Sequence, residues 1–232
     1  MSSVGLANVS SDRAIPNKTI RWLLACGVVS SILYAFAIVV TPLFYPGYSS
    51  LSQTVSELSA IDAPTRTLWL TFAFPYAACV ATFGLGLIVA SAKRMNLRIV
   101  GASFLFQGLL DFAWPPMHTR EALAKGGATI SDTMHLAFTA AWLVLAIVSL
   151  LFGANAFGRS FRNYTIATGT VLCLFGMLTA RYAPQVQANL PTPYAGVSER
   201  INIAAYLAWT AALSSFLLAS VSSSRRPEGA RS

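Results

Sequence analysis

The chain has 232 residues, of which 55% are hydrophobic and only 10% are charged, and its formal net charge is +8. Soluble domains carry roughly 25% charged residues, so this chain lacks the charge needed to cover a water-facing surface. Its basic residues stand in short clusters between apolar runs, without the basic stripe and interleaved aromatic residues of a nucleic-acid-binding protein. The composition therefore predicts a membrane protein whose surroundings are lipid, and it excludes nucleic acid as a partner.

Six apolar segments are long enough to cross a bilayer, given roughly 20 residues per crossing. The first segment is too long for a cleavable signal core and is expected to remain as a membrane helix. The polar tails at 1–19 and 223–232 are predicted to be disordered cytoplasmic segments, which leaves one transmembrane domain over 20–222. The predicted spans are 22–44, 67–92, 98–114, 132–152, 164–182 and 200–221.

The basic residues predict the orientation of the spans. With the N-terminus inside, the cytoplasmic segments hold 11 of the 16 Lys and Arg residues, so the positive-inside rule predicts that both termini are cytoplasmic. Most of the acidic residues and both histidines fall instead at the outer ends. We therefore expect an all-α, six-helix transmembrane bundle, N-in and C-in, whose functional chemistry is on the outer face.

The first outer loop has a helical pattern. Ser50 and Gln53 have the spacing of a capping box, and apolar residues then recur every three or four positions over 51–58. This pattern predicts a short amphipathic helix, either a connector that seals the bundle or a lid over a site. Ser56 and Glu57 are candidate binding residues on this helix.

Asp111 lies near the outer end of the third span, one helical turn after Gln107. A carboxylate inside a membrane helix is costly and usually faces the bundle interior or a wet cavity. Because this end of the helix dipole is negative, Asp111 needs a cation, a proton or a metal. Arg181 and Arg200 are candidate cations for Asp111 or Glu57. For Asp111, a role as a functional acid and a role in a structural salt bridge are both open.

The third and fourth spans are joined by a segment with several polar groups. His118 follows a Pro-Pro pair that ends the third helix. Asp132 and His135 are three positions apart and share one side of the first turn of the fourth span. Asp132 can be explained equally well as a helix cap or as an acid–base residue. His135 lies further into the span, where a capping role does not explain it. Together with Asp111, these two residues form the candidate catalytic group, and His118 is a candidate binding residue.

Glu199 and Arg200 open the sixth span and are candidate binding residues, although an ion pair that merely joins helices is an alternative. The cysteines are odd in number and lie in different apolar runs, so neither a disulfide nor a cysteine-held metal is expected. No cofactor is expected. A divalent metal on the histidines and aspartates is a weak alternative, because the sequence has only two histidines and no zinc motif.

Three fragments together resemble the DUF998 family of polytopic membrane proteins, whose biochemical role is unassigned. They are Tyr48-Ser-Ser-Leu-Ser-Gln-Thr-Val-Ser-Glu-Leu-Ser-Ala60 with Asp62-Ala-Pro64, then Trp114-Pro-Pro-Met-His118, and Ser131-Asp-Thr-Met-His135. The resemblance spans Trp22 to Val221 and implies a multi-pass protein of a bacterial cytoplasmic (inner) membrane. Where the family often has an acidic residue after the aromatic-Pro step, this chain has His118.

A fainter similarity links the chain to membrane hydrolases such as alkaline ceramidases and adiponectin-type receptors. Ser131 and His135 match their Ser-x-x-x-His step, but the late His-x-x-x-His zinc pair is missing, which argues against a zinc amidase. Three functions remain open: binding or transport of a small molecule or lipid in an outward-facing polar pocket, hydrolase-like chemistry on a lipid at the outer leaflet, and a structural or assembly role. The sequence does not determine the oligomeric state.

Overall fold

The structure, a computed structural model, describes residues 16–92 and 94–223. Residues 1–15 and 224–232 of the predicted tails lie outside this part of the chain, as does the basic residue Lys93. Over the described ranges the backbone forms no strand, only an isolated bridge between Ile61 and His118. The predicted all-α class is therefore confirmed.

The described residues form a series of α-helices joined by short connections, with two 3-10 helices at Thr41–Phe44 and Val55–Ser59. The α-helices are α1 (Asn17–Val40), α2 (Arg66–Ala90), α3 (Met95–Phe112), α4 (Arg120–Ala124), α5 (Ile130–Gly153), α6 (Arg159–Ala180), α7 (Ala183–Gln187) and α8 (Ala195–Ser223).

Over residues 16–92 and 94–223, five helical segments are long and apolar enough to cross a membrane. The helix in the position of the third predicted span, α3, is not among them, although α2 and α5 flank it. It has only 18 residues, and the polar side chains of Arg98, Gln107 and Asp111 lower its hydropathy. The qualifying segments are Asn17–Phe44, Arg66–Ala90, Ile130–Gly153, Arg159–Gln187 and Ala195–Val221.

Helices α2 and α3 touch through their backbones. A Cβ atom added at Gly84 would collide with the backbone nitrogen of Leu105, and one added at Gly108 would lie 2.5 Å from the backbone nitrogen of Ala81. Small residues at such positions let membrane helices approach closely, and packing then replaces the missing hydrophobic driving force. This contact holds α3 inside the bundle despite its polar residues.

Helix α8 connects the two sides of the bundle. Its Trp209 is fully buried and donates a hydrogen bond to the Thr165 hydroxyl of α6 at 2.9 Å. On the other side, Ser214 donates to the Leu24 carbonyl of α1 at 2.6 Å, and Ser31 of α1 donates to the Leu207 carbonyl at 2.9 Å. These interhelical bonds satisfy polar groups that lipid could not.

One end of the bundle is closed by three connecting segments, residues 45–65, 113–129 and 181–194, which we call the cap. The backbone N–H of Ile61 donates to the Met117 carbonyl at 2.7 Å, which joins the first two segments. The Thr192 hydroxyl donates to the Ser52 carbonyl at 2.6 Å, which joins the third to the first. The cap is therefore a single hydrogen-bonded layer.

The helix in the first cap segment differs in detail from the sequence prediction. Its capping box is formed by Thr54 and Glu57 instead of Ser50 and Gln53, and the helix is of the 3-10 type. It buries Val55 and Leu58 against α1 and α2. The sequence pattern located the helix, but the apolar face packs into the bundle end and does not lie on a lipid surface.

Candidate functional site

Glu57 is the central anion of the cap. Its carboxylate accepts two hydrogen bonds from the Arg120 guanidinium, at Nε and, at 2.8 Å, at Nη2. The same carboxylate accepts from the backbone N–H and the hydroxyl of Thr54. Both charged side chains are less than 10% exposed. Glu57, a predicted binding residue, is thus fully partnered, and Arg120 supplies the cation that the sequence analysis sought in Arg181 or Arg200.

Glu199 and Arg200 dock the start of α8 onto the first cap segment. The Glu199 carboxylate accepts from the backbone N–H of Val55. The Arg200 guanidinium donates to the carbonyls of Ser50 and Gln53 at 2.9 and 3.0 Å. Gly196 makes this contact possible, because a Cβ there would overlap those same carbonyls.

Arg200 also organises Tyr48. Its Nη2 donates to the Tyr48 hydroxyl at 2.7 Å, and that hydroxyl donates to the Thr54 carbonyl at 2.7 Å. Burial raises the pKa of the Tyr48 hydroxyl, and the positive charge of Arg200 opposes the rise. The predicted binding residues Glu199 and Arg200 therefore have protein partners.

Asp132 joins α5 to the second cap segment. One carboxylate oxygen accepts from the backbone N–H of His118 at 2.7 Å, and the other lies 2.8 Å from the His118 ring Nδ1. Asp132 also forms a capping box with Thr129 at the start of α5. The structure places His118 and Asp132 together, and Asp132 has the geometry of a cap.

His135 lies beneath the cap, is 5% exposed, and contacts the first two cap segments. Its Nδ1 lies 2.8 Å from the Pro115 carbonyl and 3.1 Å from the Trp114 indole nitrogen, and its Nε2 lies 3.2 Å from the Ser56 hydroxyl. A carbonyl can only accept and an indole N–H can only donate, so Nδ1 cannot form a hydrogen bond with both partners. The shorter contact, with the Pro115 carbonyl, assigns the proton to Nδ1. Nε2 is then free to accept the Ser56 proton.

Asp111 stands apart from this network. Trp142 of α5 approaches its carboxyl group, yet Oδ2 is buried and has no hydrogen-bond partner among the residues that the structure describes. Native proteins rarely leave buried polar atoms unsatisfied, and each exception requires an explanation. Asp111 and His135, which the sequence predicted as one catalytic group with Asp132, have no direct contact with each other among the hydrogen bonds of the described residues.

A second unpartnered oxygen lies on α8. Gln107 of α3 accepts a hydrogen bond from Tyr206 of α8 at 2.9 Å. The two helices are antiparallel, because α3 ends at the cap where α8 begins. One helical turn closer to the cap, α3 therefore carries Asp111 and α8 carries Asn202. The buried Oδ1 of Asn202 also has no hydrogen-bond partner among the described residues.

Two cavities lie away from these residues. One, of about 270 Å³, is at the end opposite the cap and is bordered by Arg94, Asn96 and Asn155. The other, of about 280 Å³, is an apolar groove between α1 and α8. As for metals, the described residues contain no group of three or more His, Cys, Asp or Glu side chains placed to hold one.

A family model described as "Protein of unknown function (DUF998)" matches residues 28–215, most of the chain. The chain belongs to the DUF998 family. The matched residues run from α1 into α8 and include the whole cap and Asp111, so the resemblance carried by the three sequence motifs is confirmed. No curated protein and no solved structure matches the chain. Since family membership does not assign an activity here, the function of this DUF998 protein must be argued from its residues.

Sequence reasoning missed several residues of this site. Arg120 was counted only as an outer basic residue, because its partner Glu57 is 63 positions away. Trp142 is an aromatic residue within an apolar run, which is typical of an ordinary core position. A useful signal was available only for Asn202 and Tyr206, whose i, i+4 spacing in the sixth span places both on one face.

Proposed function

We propose that this DUF998 protein crosses the bacterial cytoplasmic membrane six times, with both termini inside and the cap on the outer face. The charge distribution supports this arrangement, because the positive-inside rule assigns the basic connections to the cytoplasm. Helix α3, the third helix along the chain, would complete the set of six spans. Its backbone contact with α2 lets polar side chains such as Gln107 face protein instead of lipid.

Within that arrangement, the protein binds a small cationic or hydrogen-donating ligand at Asp111, as a binding or transport-type membrane protein. One observation carries this proposal: the buried Asp111 Oδ2 has no hydrogen-bond partner. Asn202 adds a second unpartnered acceptor at the same level of the bundle. Two acceptors without donors favour a ligand that brings positive charge or N–H groups.

The proposed site differs from the outward-facing polar pocket expected from sequence. Glu57, Glu199 and Arg200 fasten the cap, so they act on access to the site instead of contacting the ligand. Asp111 lies below this layer and contacts the ligand itself. The cap would therefore separate the ligand from the outer solution, which is the arrangement of an occluded site.

The experiment compares detergent-purified wild type with Asp111→Asn, which keeps the side-chain shape and removes the charge. Thermal unfolding is measured in chloride salts of sodium, potassium, calcium, ammonium and a panel of organic amines. At least one cation should raise the Tm of wild type and leave Asp111→Asn unchanged. The control is Asp62→Asn, which removes a charge from an exposed position and should respond as wild type does. If no cation separates wild type from Asp111→Asn, the proposal fails.

A second candidate function, lipid hydrolysis at the outer leaflet, is favoured by the contact between Ser56 and His135. The Ser56 hydroxyl would attack the carbonyl carbon of an ester while His135 Nε2 accepts its proton and passes it to the leaving alkoxide. Water would then release the acyl group from Ser56. Ser56→Ala should abolish turnover of fluorescent ester lipids and acylation at Ser56 detected by mass spectrometry, while Ser59→Ala retains both. Equal activity in the two variants would exclude this function.

A further inference from the structure

Aromatic side chains from four helices lie in the part of the bundle that holds Asp111. Trp142 of α5 and Tyr206 of α8 have ring centroids 5.0 Å apart, and Tyr206 donates a hydrogen bond to Gln107, one helical turn before Asp111. Tyr76 of α2 has its ring centroid 4.7 Å from that of Tyr34 of α1, and it precedes the stretch of α2 where Ala77 and Ala81 pack on Gly108 of α3. We call Tyr34, Tyr76, Trp142 and Tyr206 the aromatic cluster.

This environment is poorly suited to an inorganic divalent cation. Calcium and magnesium take six or more oxygen ligands, whereas the described residues leave two unpartnered oxygens at this level of the bundle, Asp111 Oδ2 and Asn202 Oδ1. Aromatic faces, by contrast, attract cations that shed water easily, and organic ammonium ions bind in aromatic cages for this reason. A negative charge next to the rings adds direct charge pairing in a low-dielectric interior.

Helices α5 and α6 bury few side chains beside this cluster. On α5 the side chains between His135 and Ala146, which include Trp142, are not buried, and on α6 the buried positions end at Leu172. Both helices are thus loosely packed in their cap-side halves. Gly176 of α6 lies beside Asn202, where an added Cβ would be 3.4 Å from the amide nitrogen. If these halves part, a compact amphiphilic cation would reach Asp111 from the side, while the cap closes the direct path from the outer solution.

We propose that the ligand of the Asp111 site is an organic ammonium ion, held by charge pairing with Asp111 and by the faces of the aromatic cluster. This inference rests on the proposed function and names its ligand class. It predicts a preference for methylated ammonium groups over sodium and potassium, because the methyl groups weaken hydration and match the aromatic surfaces.

The experiment uses choline chloride as the probe and its uncharged carbon isostere, 3,3-dimethylbutan-1-ol, as the matched ligand control. Isothermal titration calorimetry of the purified full chain should detect choline binding to wild type and no binding of the isostere. Asp111→Asn should abolish choline binding. Trp142→Leu should weaken it roughly thirtyfold, the size expected for a desolvated cation–π contact, while Trp142→Phe should keep most of it.

A second pair, Tyr34→Leu and Tyr34→Phe, tests the cluster if Trp142→Leu does not fold, and the same order of affinities is expected. Choline binding that ignores every aromatic substitution would overturn the inference, as would equal binding of the isostere. If inorganic cations stabilise wild type through Asp111 and choline does not, the inference fails while the proposed function stands. If no cation of either kind responds to Asp111→Asn, both fail.

Discussion

Glu57 and Arg120 form a buried, two-point ion pair that joins the first and second segments of the cap. Arg120 also donates to the carbonyls of Ser52 and Leu190, so one guanidinium contacts all three segments. An arginine is suited to this position because its planar fork matches a carboxylate and still leaves N–H groups for carbonyls. The integrity of the cap therefore depends on one pair of charges.

Glu57→Gln is expected to destabilise the cap strongly, because it leaves the Arg120 charge buried without its counter-ion. Loss of one partner of a buried pair typically costs about 3–5 kcal/mol. The measurement is the thermal unfolding midpoint of the purified protein. Glu121→Gln, the same change at the exposed neighbour of Arg120, should leave the midpoint nearly unchanged, and equal losses in both variants would contradict the assigned role.

Gly108→Leu should prevent α3 from packing on α2, because a Cβ at this position already collides with the backbone of Ala81. We expect poor yield and aggregation in size-exclusion chromatography of the detergent-solubilised protein. Gly169→Ala is the control, since its Cβ would meet only a methyl carbon of Leu150 at 3.8 Å. That helical substitution should stabilise by about 0.5–1 kcal/mol. A monodisperse Gly108→Leu protein would show that the backbone contact is dispensable.

Hydropathy was sufficient to predict most of the helices, because lipid imposes length and apolarity on each span. It was weakest for α3, where protein contacts replace lipid contacts and the apolar requirement is relaxed. The site was harder to predict. Hydrogen bonds such as that between Tyr206 and Gln107 join residues 99 positions apart, and a helical period gives only the face of each helix. The sequence could place Asp111 inside the bundle, but it could not identify the rings around it.

Tyr48→Phe should lower stability by about 1–3 kcal/mol, because Arg200 and the Thr54 carbonyl lose their shared partner. The raised pKa of Tyr48 also sets a pH dependence. In the unfolded chain the Tyr48 hydroxyl ionises near pH 10, whereas in the folded protein its raised pKa keeps it protonated at that pH. The contribution of Tyr48 to the free energy of unfolding is therefore fully present below pH 10 and falls as the pH rises further. The variant should show a shallower loss of Tm above about pH 10, measured by a pH series. Parallel pH profiles would refute this contribution.

The proposed orientation predicts which side of the membrane each connection faces. In a background with Cys26, Cys79 and Cys173 replaced by Ala, Lys125→Cys lies in an exposed cap segment and Ser160→Cys lies at the exposed start of α6. A membrane-impermeant maleimide applied to intact cells should label the first variant and spare the second until the cells are lysed. The reverse pattern would invert the topology, and labelling both in intact cells would mean that α5 does not cross.

The glycine contacts between α2 and α3 have a mechanical consequence. Two helices whose backbones touch cannot slide or separate without losing many atomic contacts at once. Helices α2 and α3 therefore form a rigid pair. By contrast, α5 and α6 have most of their buried side chains near the turn at 154–158 that connects them. At the cap end of α5, His135 is the buried side chain. A widening that admits a ligand would therefore be a pivoting of α5 and α6 about that turn. It would break the contact between His135 and Ser56, which ties α5 to the first cap segment.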